Sequence, residues 1–218
     1  MTETVLVSKV KTMEYIEFPQ RAGRAADARA AAALIYQADA PFYDYWFALT
    51  PELIQTNLAL LWQAGTGAYS HTNHEVWTNK GNVIALASHY PAERHGQLAT
   101  ELAAQLDLLP LDATILHRRA AELAYLFAHI PHNAWYLRTL TVSADLRGHG
   151  LGGRILRDIV LMADAAGYNA VHADVDGGNP GAVKFYTRHG FEVIAETKVR
   201  ALVDHDLPAS LRMVRWLA

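Results

Sequence analysis

Cysteine is missing from all 218 residues of the chain. Its absence excludes disulfide bonds, thiolate nucleophiles and zinc sites built from cysteine ligands. A chain without disulfides fits a reducing, intracellular environment. We therefore expect a cytoplasmic protein.

Apolar runs of membrane-spanning length are also missing. A transmembrane helix needs about 20 consecutive apolar residues, and no stretch of the sequence approaches this. The first residues, MTETVLVSKVKTMEYIEF, are interrupted by lysine and glutamate and contain no small-residue cleavage site. We expect neither a membrane partner nor a signal peptide.

Positive charge is scarce as well. Lysine and arginine total 19 against 22 aspartates and glutamates, which gives a formal net charge of -3. Proteins that bind the phosphates of nucleic acids carry a basic field, and this chain has none overall. We expect no nucleic-acid partner.

The histidines form no recognisable metal motif. His71, His74, His89 and His95 share one region, but none of them has the HExxH spacing of a zinc helix. We expect no bound metal.

The composition that remains is typical of one buried domain. Hydrophobic residues make up 51% of the chain, and neither an internal repeat nor a low-complexity linker divides it. We expect a single domain over residues 1–218.

Hydrophobic periodicity alternates between the strand and helix repeats. It predicts strands at residues 15–19, 75–78, 83–90, 135–142, 170–175, 191–199 and 211–217. It predicts helices at residues 25–38, from 51 to Gly65, as a pair within 91–132, from 151 to Gly167, and at 180–189. This alternation indicates an α/β or α+β domain with some parallel strand pairing.

Two details of this pattern carry specific expectations. The sequence NKGN supplies turn residues for a hairpin between the strands at 75–78 and 83–90. In the helix that starts at Pro51, Thr50 is the expected cap, and Leu53, Leu60 and Leu61 are expected to share one face.

The stretch RGHGLGG is the most distinctive motif. Gly148, Gly150 and Gly153 spell the dinucleotide pattern GxGxxG, and Asp174 lies where an acid that binds ribose is expected. In a dinucleotide fold the first glycine follows its strand almost at once, but here residues 143–147 separate Val142 from Gly148. No Walker-type GK[S/T] follows either. Two interpretations remain: a loop whose amides bind another phosphate ligand, or a glycine-rich turn with no ligand.

A second motif further along the chain favours the phosphate ligand. Together the two motifs resemble those of the GNAT superfamily of acyl-CoA-dependent N-acetyltransferases, in which RxxGxG/A opens a helix and N-x-x-A-x-x-F-Y-x-x-x-G-F follows the next strand. The matching residues are Val142, Arg147, Gly150, Gly152, Asn179, Ala182, Phe185, Tyr186, Gly190 and Phe191. The resemblance is tight over residues 135–200 and loose over the amino-terminal half.

The resemblance implies a fold and a cosubstrate. The fold would be a mixed sheet of about six to seven strands flanked by helices, with a helical insertion at 91–132 before the central strand. The cosubstrate would be acetyl-CoA. Its pyrophosphate would bind Arg147, Gly148, His149, Gly150, Leu151, Gly152 and Gly153, and its pantetheine arm would bind the strand edge at Leu140, Thr141 and Val142. Asn179 would contact the cosubstrate, and a bulge would splay this strand from its parallel neighbour.

The resemblance also implies a reaction, in which a primary amine attacks the acetyl thioester directly within a ternary complex. Tyr186 would act as the general acid for the departing thiolate, a role that suits a phenol beside the sulfur. The backbone N–H near Leu140 would stabilise the oxyanion. The general base stays open between Glu75, His132, Asp174 and water. The alternative function is a non-catalytic acyl-CoA-binding sensor or assembly domain.

The acceptor amine is not specified by these motifs. The aromatic stretch APFYDYWF at residues 40–47 lies where the superfamily often walls its acceptor pocket, although core packing accounts for most of its side chains. The insertion at 91–132 departs from the compact family fold. It is placed either to cover the acceptor site or to form a homodimer contact.

Overall fold

The computed structural model of the protein describes residues 18–217. The strands are β1 (Gln20–Ala22), β2 (Glu75–Asn79), β3 (Asn82–Pro91), β4 (Ala134–Val142), β5 (Ala170–Asp176), β6 (Glu192–Thr197) and β7 (Ser210–Trp216). The α-helices are α1 (Ala28–Ala38), α2 (Ala40–Phe47), α3 (Pro51–Gln63), α4 (His95–Leu106), α5 (Ala113–Ala124), α6 (Leu151–Ala165), α7 (Pro180–Arg188) and α8 (Arg200–Val203). No helix in the described part of the chain is both long and apolar enough to cross a membrane.

The seven strands form one mixed sheet in the order β1-β2-β3-β4-β5-β7-β6. Within residues 18–217, β4 and β5 are the one parallel pair, because α6 carries the chain back across the sheet between them. The other neighbouring strands pair antiparallel. The expected mixed sheet of six to seven strands flanked by helices is confirmed.

Local sequence signals placed most elements correctly. The β2–β3 hairpin turns through Lys80 and Gly81, which both have positive φ, as the tight turns that match strand twist require. The helical pair expected between 91 and 132 is present as α4 and α5. The strand expected at 15–19 falls largely outside the described residues, and the first described strand begins at Gln20.

The helices pack on both faces of the sheet and create two separate cores. One core joins α1–α5 to one face through side chains such as Val76 and Leu86. The other joins α6 and α7 to the opposite face through side chains such as Ala85 and Ala87. Neighbouring residues of β3 thus point to opposite cores, which is the alternation that a strand buried on both faces produces.

The face predicted for α3 is wrong. Leu53 and Leu60 are 49% and 42% exposed, whereas Leu61 is buried together with Ile54 and Leu58. Ile54, Leu58 and Leu61 follow the i, i+4, i+7 spacing of a helix stripe, and α1 packs against this stripe. The predicted face starts from Leu53, whereas the first buried position of the helix is Ile54, so the prediction is rotated around the helix axis.

The aromatic stretch at residues 40–47 is a helix that the sequence pattern did not reveal. Asp39 caps α2 by accepting a hydrogen bond from the Phe42 amide at 3.3 Å, and Pro41 occupies the first turn. Tyr43, Trp46 and Phe47 are buried, so the expectation that core packing explains most of these aromatics is confirmed.

A buried ion pair joins β5, β7 and the end of the insertion. Arg212 on β7 is 2% exposed and binds both carboxylate oxygens of Asp174, at 2.7 and 2.8 Å. It also donates to the backbone carbonyls of Ala128 and His129, and the Tyr136 hydroxyl donates to Asp174 at 2.8 Å. Each guanidinium nitrogen and each carboxylate oxygen of the pair thereby has a partner, as a buried charge requires.

Replacing Arg212 with glutamine should destabilise the fold strongly. The Arg212→Gln variant leaves Asp174 as a buried, uncompensated carboxylate, so we expect the free energy of unfolding to fall by about 3–5 kcal/mol in chemical denaturation. Lys198→Gln is the matched control, because Lys198 forms an exposed pair with Glu196 at 2.8 Å, and its loss should change stability by less than about 1 kcal/mol. Equal effects of the two substitutions would show that the buried pair has no special role.

Candidate active site

The parallel strands β4 and β5 separate partway along their length. They pair from Ala134↔Ala170 to Leu137↔Ala173, and no pair follows. On the other edge of β4 the register shifts, with Leu137 opposite His89 and Thr139 opposite Ser88, so Arg138 is the extra residue of a β-bulge. The bulge and the V-shaped opening that the family resemblance implied are confirmed. The last parallel pair is the vertex of this V.

A cleft of about 1870 Å³ lies along the V. The residues predicted from the sequence as the cosubstrate and catalytic site all line this one cleft: Leu140, Thr141, Val142, Arg147, Gly148, His149, Gly150, Leu151, Gly152, Gly153, Asn179 and Tyr186. We call the region around residues 147–153 the loop end. The region around Tyr136 and Arg138, beside the last parallel pair, is the vertex end.

The loop end has the backbone geometry of an anion site. Gly148 and Gly150 have φ of 80° and 82°, in the left-handed region that L side chains avoid, and Gly150 is the N-cap of α6. The first amides of α6 have no partner within the helix, and the helix dipole makes them more positive. Arg147 donates through Nε to the carbonyl of Val142 at 3.1 Å, which ties the loop to the end of β4.

The dinucleotide interpretation finds no support in this geometry. A 3₁₀ turn at Ala144–Leu146 stands between β4 and the glycines, so the loop does not leave the strand directly. Asp174, the expected ribose ligand, is instead bound on both carboxylate oxygens by Arg212.

Helix α7 brings Tyr186 to the cleft. Asn179 is the N-cap of α7, because its side-chain oxygen accepts from the Ala182 amide at 3.0 Å. One contact of Asn179 is thus structural, although the residue also lines the cleft.

The Tyr186 side chain is 9% exposed and packs between Phe185 and Phe191, whose ring centroids lie 5.2 and 5.3 Å away. Burial raises the pKa of the Tyr186 phenol well above its usual value of about 10, so the group is neutral at pH 7. Tyr186 lines the cleft, where its O–H can meet a bound ligand.

The three candidate bases are placed differently. Asp174 lines the cleft, but the bonds from Arg212 and Tyr136 occupy its oxygens. Its lone pairs are therefore poorly available for proton abstraction.

The other two candidates do not line the cleft. Glu75 accepts from Gln20 at 2.8 Å and lies 3.6 Å from His89 Nε2, and contact with His89 lowers the pKa of this carboxyl. His132 is exposed in the turn before β4, with its ring 6.4 Å from that of His129. The geometry brings neither group to Tyr186.

A titratable group that the sequence did not single out lies in the cleft. Burial and, to a smaller extent, the negative charge of nearby Asp176 together raise the pKa of Asp39 to about 7. Both aspartates line the cleft. The sequence Asp39-Ala40-Pro41 is typical of a helix start, so it could have predicted Asp39 as a helix cap. It does not predict that Asp39 lies near Asp176.

The bulged residue, Arg138, is the second group that the sequence did not reveal. Its guanidinium carbon lies 4.6 Å from the centroid of the Tyr69 ring, a cation–π distance. Burial disfavours its charge, but the surrounding tyrosines 43, 69, 90 and 136 together raise its pKa above the usual value. Arg138 is half-buried and lines the vertex end of the cleft.

The insertion lines the same cleft. The end of α5 and the segment that follows it contribute Ala124, Phe127, Ala128, His129 and Ile130 to its wall. Phe127 contacts Phe42 of α2, with ring centroids 5.9 Å apart. Helix α2 and the insertion therefore form a common wall of the cleft.

Two of the histidines that share one region, His71 and His74, make structural contacts. His74 is buried, its pKa is lowered to about 4 by burial, and its Nδ1 lies 2.8 Å from the Ser70 carbonyl. His71 Nδ1 lies 2.9 Å from the Trp62 carbonyl. In residues 18–217 no group of three or more histidine, aspartate or glutamate side chains is arranged to hold a metal ion.

Comparison with known proteins agrees with this geometry. The model of the Acetyltransferase (GNAT) family matches residues 35–191. The fold is similar to the crystal structure of an acetyltransferase at 23% identity and a TM-score of 0.67, over 92% of this chain and 100% of that one. It is similar to an N-acetyltransferase from Staphylococcus aureus Mu50 at 16% identity and a TM-score of 0.68, over 90% of this chain and 99% of that one.

A third similar structure is the ribosomal-protein-S18-alanine N-acetyltransferase from Escherichia coli, at 14% identity and a TM-score of 0.51, over 93% of this chain and 95% of that one. At these identities the structures show a shared fold, whereas the family model covers most of the sequence, including both motifs of the cleft. The chain therefore belongs to the Acetyltransferase (GNAT) family and carries the fold of an acyltransferase.

Proposed function

We propose that the protein transfers an acetyl group from acetyl-CoA to a primary amine, by direct attack of the amine while both substrates are bound. One observation carries this proposal: the open edge of β4, the amides that begin α6 and the neutral phenol of Tyr186 meet in one cleft. A cofactor-binding fold without catalysis would not need the last of these.

The cleft fits the two polar parts of acetyl-CoA. The amides of residues 150–153 and the side chain of Arg147 would bind the pyrophosphate. The pantetheine arm carries amide groups, and the edge of β4 at Leu140, Thr141 and Val142 has no pairing from β5 to compete with them. The arm would therefore add to the sheet like a strand. Asn179 would contact the cosubstrate where α7 begins.

The reaction requires three groups around the thioester. As the amine nitrogen bonds to the acetyl carbon, the carbon–sulfur bond breaks, and Tyr186 would give its proton to the departing thiolate. The backbone N–H near Leu140 would stabilise the charge that develops on the acetyl oxygen. A base must also take a proton from the amine, because an alkylamine with a pKa of about 10.4 is almost fully charged at pH 7.

Asp39 is the best-placed base in the cleft. Its raised pKa of about 7 balances proton acceptance against availability at neutral pH, which is the range that general bases use. The Phe42 amide binds one oxygen of Asp39, whereas Arg212 binds both oxygens of Asp174 and Glu75 does not line the cleft. We propose that Asp39 removes the proton directly or through one water.

The rival function is a non-catalytic sensor or assembly domain that binds acyl-CoA in the same cleft. Such a protein would be stabilised by coenzyme A yet release no free thiol from acetyl-CoA with any amine. Thiol release across a panel of amines, measured together with the thermal shift caused by coenzyme A, separates the two functions. Binding without turnover would favour the sensor, and no response to coenzyme A would contradict both.

Replacing Tyr186 with phenylalanine should slow turnover. The Tyr186→Phe variant keeps the ring that packs against Phe185 and Phe191 but loses the proton donor, so we expect kcat to fall at least about tenfold with little change in the KM for acetyl-CoA. Tyr168→Phe is the control, because Tyr168 packs on Trp135 outside the cleft. Unchanged kcat in an assay limited by chemistry would remove Tyr186 from the mechanism.

Replacing Gly150 with alanine should weaken binding of acetyl-CoA. Alanine in the left-handed conformation of Gly150 costs about 1–2 kcal/mol, and relaxation of that strain displaces the amides of the loop. By isothermal titration with coenzyme A we expect the Kd to rise about fivefold or more, the equivalent of about 1 kcal/mol.

Two glycines provide controls for this loss. At Gly152 an added Cβ meets Phe185 and Val142 at 3.6 Å, an ordinary contact, so Gly152→Ala should leave the Kd nearly unchanged. Gly167 has a φ of 81° at the far end of α6, so Gly167→Ala should lower stability but preserve binding. A Gly167→Ala variant that lost affinity as Gly150→Ala does would implicate general strain and not the loop.

Because of the raised pKa of Asp39, the free energy of unfolding should fall as the pH rises. The folded-state pKa of about 7 lies above the value of about 3.9 expected for the unfolded chain, so the folded state binds the extra proton. This stabilisation is complete below about pH 4 and is lost as the pH rises through 7. Asp39→Asn keeps a capping side chain for α2 and removes the titration. We expect its gain in Tm over the natural protein to be larger at pH 8 than at pH 5.

Asp112→Asn is the matched control for Asp39→Asn. Asp112 caps α5 as Asp39 caps α2, but it is exposed to water. Its replacement should therefore show a smaller difference between the two pH values. If Asp39 is the base, Asp39→Asn should in addition lower kcat by about a hundredfold at pH 7.5. A flat Tm comparison together with full activity would contradict both roles.

A further inference from the structure

The vertex end of the cleft contains a charge without a counter-ion. Among residues 18–217 no carboxylate forms an ion pair with Arg138, whereas Arg212, the other arginine nearby, is neutralised by Asp174. The partners of Arg138 are aromatic: the Tyr69 ring at 4.6 Å and the hydroxyl of Tyr90. A half-buried charge with no ion partner is costly to maintain unless a ligand supplies the opposite charge.

Opposite charge of the protein lies further along the same cleft. Asp39 and Asp176 line it together, close enough for the charge of Asp176 to disfavour ionisation of Asp39. Tyr43 lies within electrostatic reach of both Arg138 and Asp39, so the cation and this carboxyl are both near a single tyrosine of the cleft. The cleft therefore offers positive charge at its vertex end and negative charge beside it.

We propose that the acceptor is a small amino carboxylate, a molecule of the amino acid type, whose carboxylate binds Arg138 while its amine faces Asp39. This inference rests on the proposed acetyl transfer and identifies its acceptor class. The guanidinium fork forms two parallel hydrogen bonds with a carboxylate, a geometry that neither a hydroxyl nor an amide reproduces.

The spacing along β4 suits a small acceptor. Arg138 precedes Leu140 by two residues, which corresponds to about 7 Å along a strand. Leu140 marks the expected position of the acetyl oxygen. An amine held beside that oxygen can therefore belong to the same small molecule as a carboxylate held by Arg138.

The charge balance argues against other acceptors. A second ammonium group, as in a polyamine, would meet the positive charge of Arg138. A phosphate dianion would need more positive charge than Arg138 alone supplies. Neighbouring His95 does not add a charge, because burial lowers its pKa and keeps it neutral at pH 7. The amino terminus of a peptide lacks the free carboxylate. An amino carboxylate carries a negative carboxylate for Arg138 and a positive ammonium group for the side of the cleft at Asp39.

The test compares acceptors that differ only in the carboxylate. Apolar, acidic and basic L-amino acids are each assayed beside the corresponding amide and decarboxylated amine, with acetyl-CoA saturating. We expect kcat/KM for at least one amino acid to exceed that for its amide at least about tenfold, the equivalent of one charge-assisted contact. Thermal shifts of the protein–CoA complex with the same compounds measure acceptor binding independently of turnover.

Arg138→Gln should abolish this preference. The variant should raise the KM for the amino acid about tenfold or more, leave the amide unchanged, and keep the coenzyme A shift. Arg119→Gln is the matched control, since Arg119 also stacks on a tyrosine, Tyr45 at 5.8 Å, but lies outside this cleft. Arg138→Lys keeps the charge and loses the fork, so it provides a second variant with an intermediate preference if Arg138→Gln does not fold.

Several results would overturn the inference. Equal kcat/KM for acids and amides, or an equal loss for both in Arg138→Gln, would show that Arg138 does not read a carboxylate. Acetylation confined to amines without a carboxylate would overturn the inference while leaving the proposed acetyl transfer intact. If no compound is acetylated but coenzyme A still binds, an Arg138-dependent thermal shift by amino acids supports the acceptor class, and its absence contradicts it.

Discussion

The ion pair between Arg212 and Asp174 holds the vertex of the cleft together. Asp174 is the first residue of β5 beyond its last parallel pair with β4, and its carboxylate is bound by Arg212 from β7 and by Tyr136 from β4. The same guanidinium binds two carbonyls at the end of the insertion. Three strands and the insertion therefore converge where the V begins. The charge that anchors them is buried and fully partnered, so the opening of the strands starts from a fixed point.

Beyond that point the bulge at Arg138 has two effects on the cleft. It directly follows the last pair with β5, beyond which the edge of β4 is free for a bound amide chain, and it places a basic side chain beside the tyrosines of the vertex end. A single inserted residue thus connects the proposed cosubstrate groove to the proposed acceptor site. The glycine loop follows the carboxyl end of β4, and the hydrogen bond from Arg147 to the Val142 carbonyl ties it there.

The sequence predicted the elements whose signals are local. The hairpin at Lys80 and Gly81, the start of α6 at Leu151 and the start of α7 at Pro180 each depend on a few consecutive residues, and all three are found where expected. The bulge at Arg138 was implied only as a family feature, without a position, because it depends on the register between two strands. The proximity of Asp39 to Asp176 was not predictable either, since it joins a helix cap to a strand end far along the chain. Composition and spacing contain no information on such encounters.

The two cores of the protein support different parts of the cleft. Helices α6 and α7, which carry the glycine loop and Tyr186, pack in the core on one face of the sheet, and α1–α5 pack in the core on the other. Mutations that reshape the wall formed by α2 and the insertion therefore repack a different set of side chains from those that support the loop. During evolution, substitutions in the core of α1–α5 can therefore change the acceptor preference, while the core that supports the loop and Tyr186 stays unchanged.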